Sequence, residues 1–210
     1  MQLRARADKI RKILRTIYPD VKTGLYYSTP FQLLVATILS AQCTDKQVNR
    51  VVRVMFDHLK TPADFAGASI KTIERFIRST GFYHNKAKNI KNCSRKLLEV
   101  HGGRVPQTLE ELVALPGVGR KTANVVLGAA FAIPGIVVDT HVGRISGRLG
   151  LTTHTDPVKI EFDLMEIVPK SAWHDFCLHL ILFGRETCMA RKPKCPICPL
   201  NKLCPWPDKI

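Results

Sequence analysis

Four cysteines near the carboxyl-terminal end of the chain give the sequence its clearest metal-binding pattern. They are Cys188, Cys195, Cys198 and Cys204, in the spacing C-x6-C-x2-C-x5-C. Thiolates gathered in one short loop bind zinc or an iron–sulfur cluster. The spacing matches neither the paired C-x2-C units of zinc ribbons nor the common ferredoxin patterns. The residues alone therefore leave both kinds of centre open.

Disulfide bonds are a weaker interpretation of the same cysteines. The first 18 residues are basic but contain no apolar run, so they do not form a secretory signal. Without export, a reducing compartment is expected, and clustered cysteines there favour a metal site. Three cations, Arg191, Lys192 and Lys194, lie between the first two cysteines of the cluster. These cations either bind a phosphate group or only neutralise the negative charge of the thiolates.

A glycine-rich turn, Leu115 to Gly119, joins a helical segment at 109–114 to another beginning near Arg120. Gly117 and Gly119 permit positive φ and close approach of another backbone. The first amide N–H groups of the second segment have no helical partner, so they form a phosphate site that reads no base. Gly117, Val118, Gly119 and Arg120 are thus candidate DNA contacts, although a plain structural turn remains an alternative.

Lys121 lies in the first turn of that second segment, directly after Arg120. A cation is unfavourable at the positive end of a helix, and this favours the neutral amine. A neutral lysine amine is a nucleophile that can form a Schiff base. The alternative is a lysine that only binds phosphate.

Asp139 follows the apolar run 136–138 and precedes a segment that carries Arg144 and Arg148. Aspartate is a favoured N-cap, so a capping role is expected. A capping carboxylate can still present its second oxygen to a substrate. About one helix and a turn separate this residue from Lys121.

The elements around these residues are predicted to be helical almost throughout. Hydroxyl side chains precede four of the segments, at Thr29, Thr44, Thr61 and Thr108. The stretch 31–39 is apolar on nearly all sides, as in a central buried helix. Another segment carries an apolar stripe of Ala87, Ile90, Ser94, Leu97 and Leu98, interleaved with Lys86, Lys88, Lys91 and Arg95. Period-2 alternation is missing, so the fold class is all-α.

Composition limits the function further. The chain has 210 residues, of which 45% are apolar and 23% charged, as in a folded globular protein. Lys and Arg number 32 against 17 Asp and Glu, a net charge of +15. Such an excess favours nucleic acid as a partner over a membrane surface. No apolar stretch is long enough to span a bilayer, so no membrane is expected.

Three motifs together resemble the endonuclease III family of helix–hairpin–helix DNA glycosylases. They are LPGVGRKTAN at 115–124, VDTH at 138–141 and the cysteine spacing at 188–204. The segment LSAQCTD at 39–45 is also similar to the family's segment beside the damaged base. The resemblance covers essentially the whole chain, and the combination is specific although each motif alone is not.

The resemblance implies two helical lobes with DNA bound in a cleft between them. One lobe would be a helical barrel, 23–133, with the helix–hairpin–helix motif at about 109–131. The other would be 1–22 plus 134–210, with a [4Fe-4S] cluster held by the four cysteines of 188–204. Double-stranded DNA containing damaged bases or abasic sites would be the partner of a monomeric enzyme. A prokaryotic cytoplasm, on the nucleoid, is the expected location.

The resemblance also assigns roles. Lys121 would attack C1′ as the nucleophile, and Asp139 would be the catalytic carboxylate. Gln42 would fill the space left by the flipped base, and Phe82 would wedge into the stack. The expected activity is that of a bifunctional glycosylase and abasic-site lyase acting on oxidised pyrimidines.

Two other functions compete with this one. A monofunctional mismatch glycosylase activates water instead of an amine, and Lys121 argues against it. A non-catalytic DNA-binding protein with a zinc or iron–sulfur centre would leave Lys121 and Asp139 unexplained.

Overall fold

Residues 2–209, which the computed structural model describes, form helices and connecting loops but no β-strand. The all-α prediction is therefore confirmed. The helices are α1 (Leu3–Ile17), α2 (Pro30–Leu39), α3 (Asp45–His58), α4 (Pro62–Gly67), α5 (Ile70–Ile77), α6 (Tyr83–His101), α7 (Leu109–Val113), α8 (Arg120–Phe131), α9 (Thr140–Arg148), α10 (Pro157–Ile167) and α11 (Trp173–Glu186). Short 3-10 turns occur at Arg78–Thr80, Lys170–Ala172, Cys195–Ile197 and Asn201–Leu203. Within the described residues, no helix combines the length and apolar composition that a bilayer span needs.

The predicted hydroxyl caps are present at all four positions. Each threonine side chain accepts the amide N–H three residues on, at the starts of α2, α3, α4 and α7. Gln32 does not complete a reciprocal capping box with Thr29, because its Oε1 accepts the N–H of Ser28 at 2.8 Å. A complete capping box is present at α4, where the Thr61 side chain accepts the N–H of Asp64 and the Asp64 side chain accepts the N–H of Thr61.

The chain divides into two compact units, and the first is Gly24–Ile133. Its centre is α2, where every residue from Phe31 to Leu39 is buried, as predicted. This helix packs against α3, α6 and α8, while α6 also packs against α4 and α5. On α6 the predicted stripe is wrong at its edge, since Leu98 is 40% exposed and the side chain of Lys86 is buried instead.

The second unit combines Met1–Thr23 with Pro134–Ile210. In it α1 packs against α10 and α11, and α9 packs against the same two helices. Ile10 and Leu14 of α1 are fully buried, which fits its amphipathic pattern. The apolar run before Asp139 contributes Ile136 and Val137 to this core.

Candidate active site and cysteine centre

The glycine-rich turn connects α7 to α8 and is anchored by two buried side chains, Leu115 and Val118. Gly117 has φ +77, and a Cβ atom there would lie 2.7 Å from the Cβ of Asn89. Gly119 has φ −91, and a Cβ atom there would meet nothing within 4 Å. Gly117 therefore adopts the positive φ that glycine permits, and Gly119 does not. The close neighbour of Gly117 is a side chain, not a backbone.

Helix α6 supports this turn at two points that the sequence did not reveal. Asn89 packs against Gly117, and Lys96 Nζ donates to the carbonyl oxygen of Ala114 at 2.7 Å. The two residues lie seven positions apart, so they share one face of α6. That face fixes the turn at both ends.

The start of α8 is shaped for an anion. Gly119 occupies the N-cap position and provides no side-chain cap, and the space around it is open. Amide N–H groups at a helix start carry partial positive charge and accept phosphate oxygens. An external phosphate can therefore approach this end without displacing a side chain from Gly119.

Lys121 is the second residue of α8, and its side chain is exposed. Among residues 2–209, no hydrogen bond or ion pair engages its amine. A lysine held by its helix but free at its terminus can reach an electrophile outside the protein. The geometry suits both a nucleophile and a phosphate ligand.

Asp139 is the N-cap of α9, as expected. Its Oδ1 accepts the N–H groups of His141 and Val142, both at 2.8 Å. Within the described chain, Oδ2 accepts no hydrogen bond, and the side chain is half-buried. One oxygen therefore serves the helix, and the other is available to a substrate.

A close contact between α9 and α11 fixes the helix that Asp139 opens. Gly184 of α11 lies where a Cβ atom would be 2.7 Å from both His141 Nδ1 and Ile145 Cδ1. Any other residue at position 184 would force these side chains to move. Burial lowers the pKa of His141 despite the nearby Asp139 carboxylate, so its imidazole is neutral at pH 7.

All four cysteines of the 188–204 segment line a single cavity, together with Arg148, Leu149 and Trp206. They are free thiols. Four cysteines that line one cavity can act together as the ligands of one thiolate-bound centre, which is the donor set of zinc and of iron–sulfur clusters.

Two arginines of α9 connect this cysteine segment to Asp139. Arg144 donates to the carbonyl of Cys188 at 3.0 Å, and Arg148 donates to the carbonyl of Met189 at 2.8 Å. Arg148 also lies 3.9 Å from the ring centre of Trp206 and 3.4 Å from the sulfur of Cys188. The sequence identified both arginines only as part of a helix.

The three cations between the first two cysteines are exposed. Lys192 has φ +50, a left-handed conformation that shapes the loop around it. Arg191 and Lys194 flank this bend. Exposure permits contact with a phosphate backbone.

Gln42 and Phe82 lie on two exposed loops of the Gly24–Ile133 unit. Gln42 has φ +53 and Phe82 has φ +50, which is uncommon for residues other than glycine. The side chain of Phe82 is 65% exposed, an unusual state for a large aromatic residue. Left-handed backbones of this kind persist only where the surrounding structure holds them.

Comparison with known proteins gives matches along nearly the whole chain. Residues 35–170 match the HhH-GPD superfamily of base excision DNA repair proteins, and residues 188–204 match the iron–sulfur binding domain of endonuclease III. An endonuclease III from Synechocystis sp. is 53% identical over 201 residues, 95% of this chain and 92% of that protein. One from Bacillus subtilis is 48% identical over 189 residues, 90% of this chain and 86% of that protein.

Solved structures agree. A trapped covalent endonuclease III–DNA intermediate is similar with a TM-score of 0.93 at 43% identity, covering 98% of this chain and 97% of that one. A thermostable thymine-DNA glycosylase is similar with a TM-score of 0.86 at 25% identity, covering 98% of both chains.

Proposed function

The chain belongs to the endonuclease III family of base-excision DNA repair proteins, and from this membership we propose that Lys121 and Asp139 perform its chemistry. The protein is a bifunctional DNA glycosylase and abasic-site lyase that acts on double-stranded DNA and carries a [4Fe-4S] cluster. The observation that carries the assignment of Lys121 is its amine, which has no partner among residues 2–209 and lies in the first turn of α8, a helix without a side-chain N-cap.

The proposed reaction begins with DNA bound through its backbone. Gly117, Val118, Gly119 and Arg120 hold a phosphate at the start of α8, and Arg191, Lys192 and Lys194 contact the backbone elsewhere. The damaged base leaves the stack before C1′ can be reached. Phe82 enters the stack, and Gln42 occupies the space that the base leaves.

The chemical steps follow from the two side chains. The neutral amine of Lys121 attacks C1′, the C1′–N bond breaks, and the base departs with the bonding electron pair. Asp139 stabilises the positive charge that develops on the sugar and accepts a proton from the amine. The nitrogen lone pair then expels O4′, which takes the proton held by Asp139, and this ring opening leaves a protonated Schiff base whose C2′ protons are acidic. Loss of one of them breaks the C3′–O bond, and water then releases Lys121.

The cysteine segment has a structural part in this scheme. Cys188, Cys195, Cys198 and Cys204 would hold the cluster, whose bonds to the thiolates would cross-link this segment. Through Arg144 and Arg148, the ordered segment supports α9 and therefore the carboxylate at its start.

The substrate class that we propose is oxidised pyrimidines. A water-activating glycosylase shares the fold, but the amine of Lys121 distinguishes the two mechanisms. We also place the enzyme on the nucleoid of a prokaryotic cytoplasm, since the curated relatives are bacterial proteins. A fluorescent fusion that failed to co-localise with DNA in a bacterial cell would contradict this location.

The test uses a duplex with one thymine glycol and sodium borohydride. We expect a covalent protein–DNA adduct that disappears in Lys121→Ala. Lys159→Ala is the matched control, because Lys159 is another exposed lysine in the first turn of a helix, α10. An adduct that persists in Lys121→Ala would reject the assignment, and no adduct from wild-type protein with bound DNA would favour the water-activating mechanism.

A further inference from the structure

One lysine of α6 is buried although its neighbours on the same helix are exposed. Lys86 is only 5% exposed, whereas Lys88 and Arg95 face solvent. Its Nζ donates to the carbonyl oxygens of Leu39 at 2.9 Å and Thr80 at 2.8 Å. A buried ammonium is costly unless its donors are satisfied, so these two bonds explain why it is tolerated.

The two carbonyls come from different loops. Leu39 is the last residue of α2, and Thr80 is the last residue of the 3-10 turn Arg78–Thr80. Gln42 follows Leu39 by three residues, and Phe82 follows Thr80 by two. A single side chain therefore connects the bases of both exposed loops.

The backbone of Lys86 adds a third link. Its own N–H donates to the carbonyl oxygen of Phe82 at 3.1 Å, in the first turn of α6. The Phe82 loop is thus held from both sides by one residue. At the other loop, the ammonium lies at the carbonyl end of α2, where the helix dipole favours a cation. Burial lowers the pKa of Lys86, and the nearby Cys43 opposes this.

We infer that Lys86 is a positioning residue that holds the Gln42 loop and the Phe82 loop in fixed register for entry into DNA. The inference rests on the roles proposed above for Gln42 and Phe82. Both residues have strained left-handed backbones, which persist only where the surroundings hold them. Extrusion of a base has an unstacking cost, and loops already in place reduce the further cost of ordering.

Lys91 offers a matched control on the same helix. Its Nζ donates to the carbonyl oxygen of Ala66 at 2.9 Å and also to that of Ala68. These carbonyls lie at the end of α4, in a part of the chain separate from Gln42 and Phe82. Lys86→Met and Lys91→Met therefore each remove one ammonium bound to two carbonyls, but only the first releases the two loops.

The experiment compares three single-turnover readouts for each folded variant. These are excision of thymine glycol, strand cleavage at a preformed abasic site, and emission of 2-aminopurine placed opposite the lesion. For Lys86→Met we expect excision to fall about 10- to 100-fold. Abasic-site cleavage should fall less, because no base remains to be unstacked. The 2-aminopurine signal should also fall, while Lys91→Met keeps the wild-type ratio of excision to cleavage.

A double variant identifies the route of the effect. If Lys86 acts through the Phe82 loop, Lys86→Met combined with Phe82→Ala should be no worse than the more damaging single variant. If Lys86→Met does not fold, Lys86→Gln, which keeps an N–H donor, replaces it in the same comparisons.

Two results would overturn the inference. One is equal ratios of excision to cleavage in the Lys86 and Lys91 variants, and the other is full additivity with Phe82→Ala. Wild-type excision by both Gln42→Ala and Phe82→Ala would instead reject the proposed roles of those residues. The two failures are therefore distinguishable.

Discussion

Gly117 and Gly119 lie two residues apart in the same turn, yet the structure gives them different reasons to be glycine. Alanine at Gly117 would adopt φ +77 and place its Cβ 2.7 Å from Asn89. The left-handed conformation costs roughly 1–2 kcal/mol, and the forced displacement costs about 1–3 kcal/mol. Alanine also lowers the conformational entropy of the unfolded chain, which stabilises the folded state by about 0.4–1 kcal/mol. The expected net loss for Gly117→Ala is therefore about 1–5 kcal/mol of unfolding free energy.

Alanine at Gly119 should have the opposite pattern. Its φ of −91 suits any residue, and its Cβ would enter open space. We expect the stability of Gly119→Ala to stay within about 1 kcal/mol of wild type, since alanine is a poorer N-cap than glycine but restricts the unfolded chain. The methyl group would occupy the space where a phosphate approaches. Loss of one charge-assisted hydrogen bond, roughly 1.5 kcal/mol, weakens the Kd for DNA about tenfold.

Thermal unfolding and fluorescence anisotropy with an abasic-analogue duplex measure the two quantities separately. For a chain of this size, the Gly117 variant should melt about 2–20 °C lower. The reasoning fails if Gly119→Ala is destabilised as much as Gly117→Ala. It also fails if Gly119→Ala binds DNA with the wild-type Kd, because α8 would then hold no phosphate at its start.

Three further predictions concern the other unit and the buried thiols. Asp139→Asn should keep the N-cap of α9 and change the free energy of unfolding by less than about 1 kcal/mol. The same variant should lower the rate of base excision about 10²- to 10³-fold in single-turnover assays. Full activity of the variant would leave Asp139 with only the capping role. Gly184→Ala should lose about 1–3 kcal/mol in denaturant titration despite its better helix propensity, because its Cβ would meet His141 and Ile145; an unchanged midpoint would contradict that contact. Burial raises the pKa of both Cys93 and Cys177 to about 12, so only the unfolded chain ionises these thiols above pH 9. Stability should then fall by about 1.4 kcal/mol per pH unit for each thiol above that pH; Cys→Ala variants that retain the same slope would refute this.

The sequence predicted those features that depend on short-range chemistry. The four threonine caps, the buried helix α2 and the cap at Asp139 each follow from a few adjacent residues, and all are present. The shared cavity of the four cysteines also follows from their spacing, since a short loop has few ways to separate them.

Other features depend on contacts between distant segments. Lys86, Lys88 and Lys91 are alike in the sequence, but only the packing of α2 and the turn at 78–80 buries the first of them. Glycine permits positive φ at both Gly117 and Gly119, but only the packing of the turn determines that Gly117 adopts it and Gly119 does not. The support that Asn89 and Lys96 give to the hairpin likewise depends on how α6 packs.

The order of the two units along the chain has a consequence for biosynthesis. Gly24–Ile133 is one continuous stretch, so a ribosome delivers all of it before the segment from Pro134 begins to emerge. Helix α1 is made first, but its partners α10 and α11 are made last. Translation proceeds at about 5–20 residues per second. The helices that bury Ile10 and Leu14 are therefore synthesised several seconds after the last residue of the Gly24–Ile133 unit. A nascent chain halted once Ile133 has left the ribosome, but before α10 has, should therefore carry a folded Gly24–Ile133 unit and an unpartnered, basic first helix that chaperones can bind.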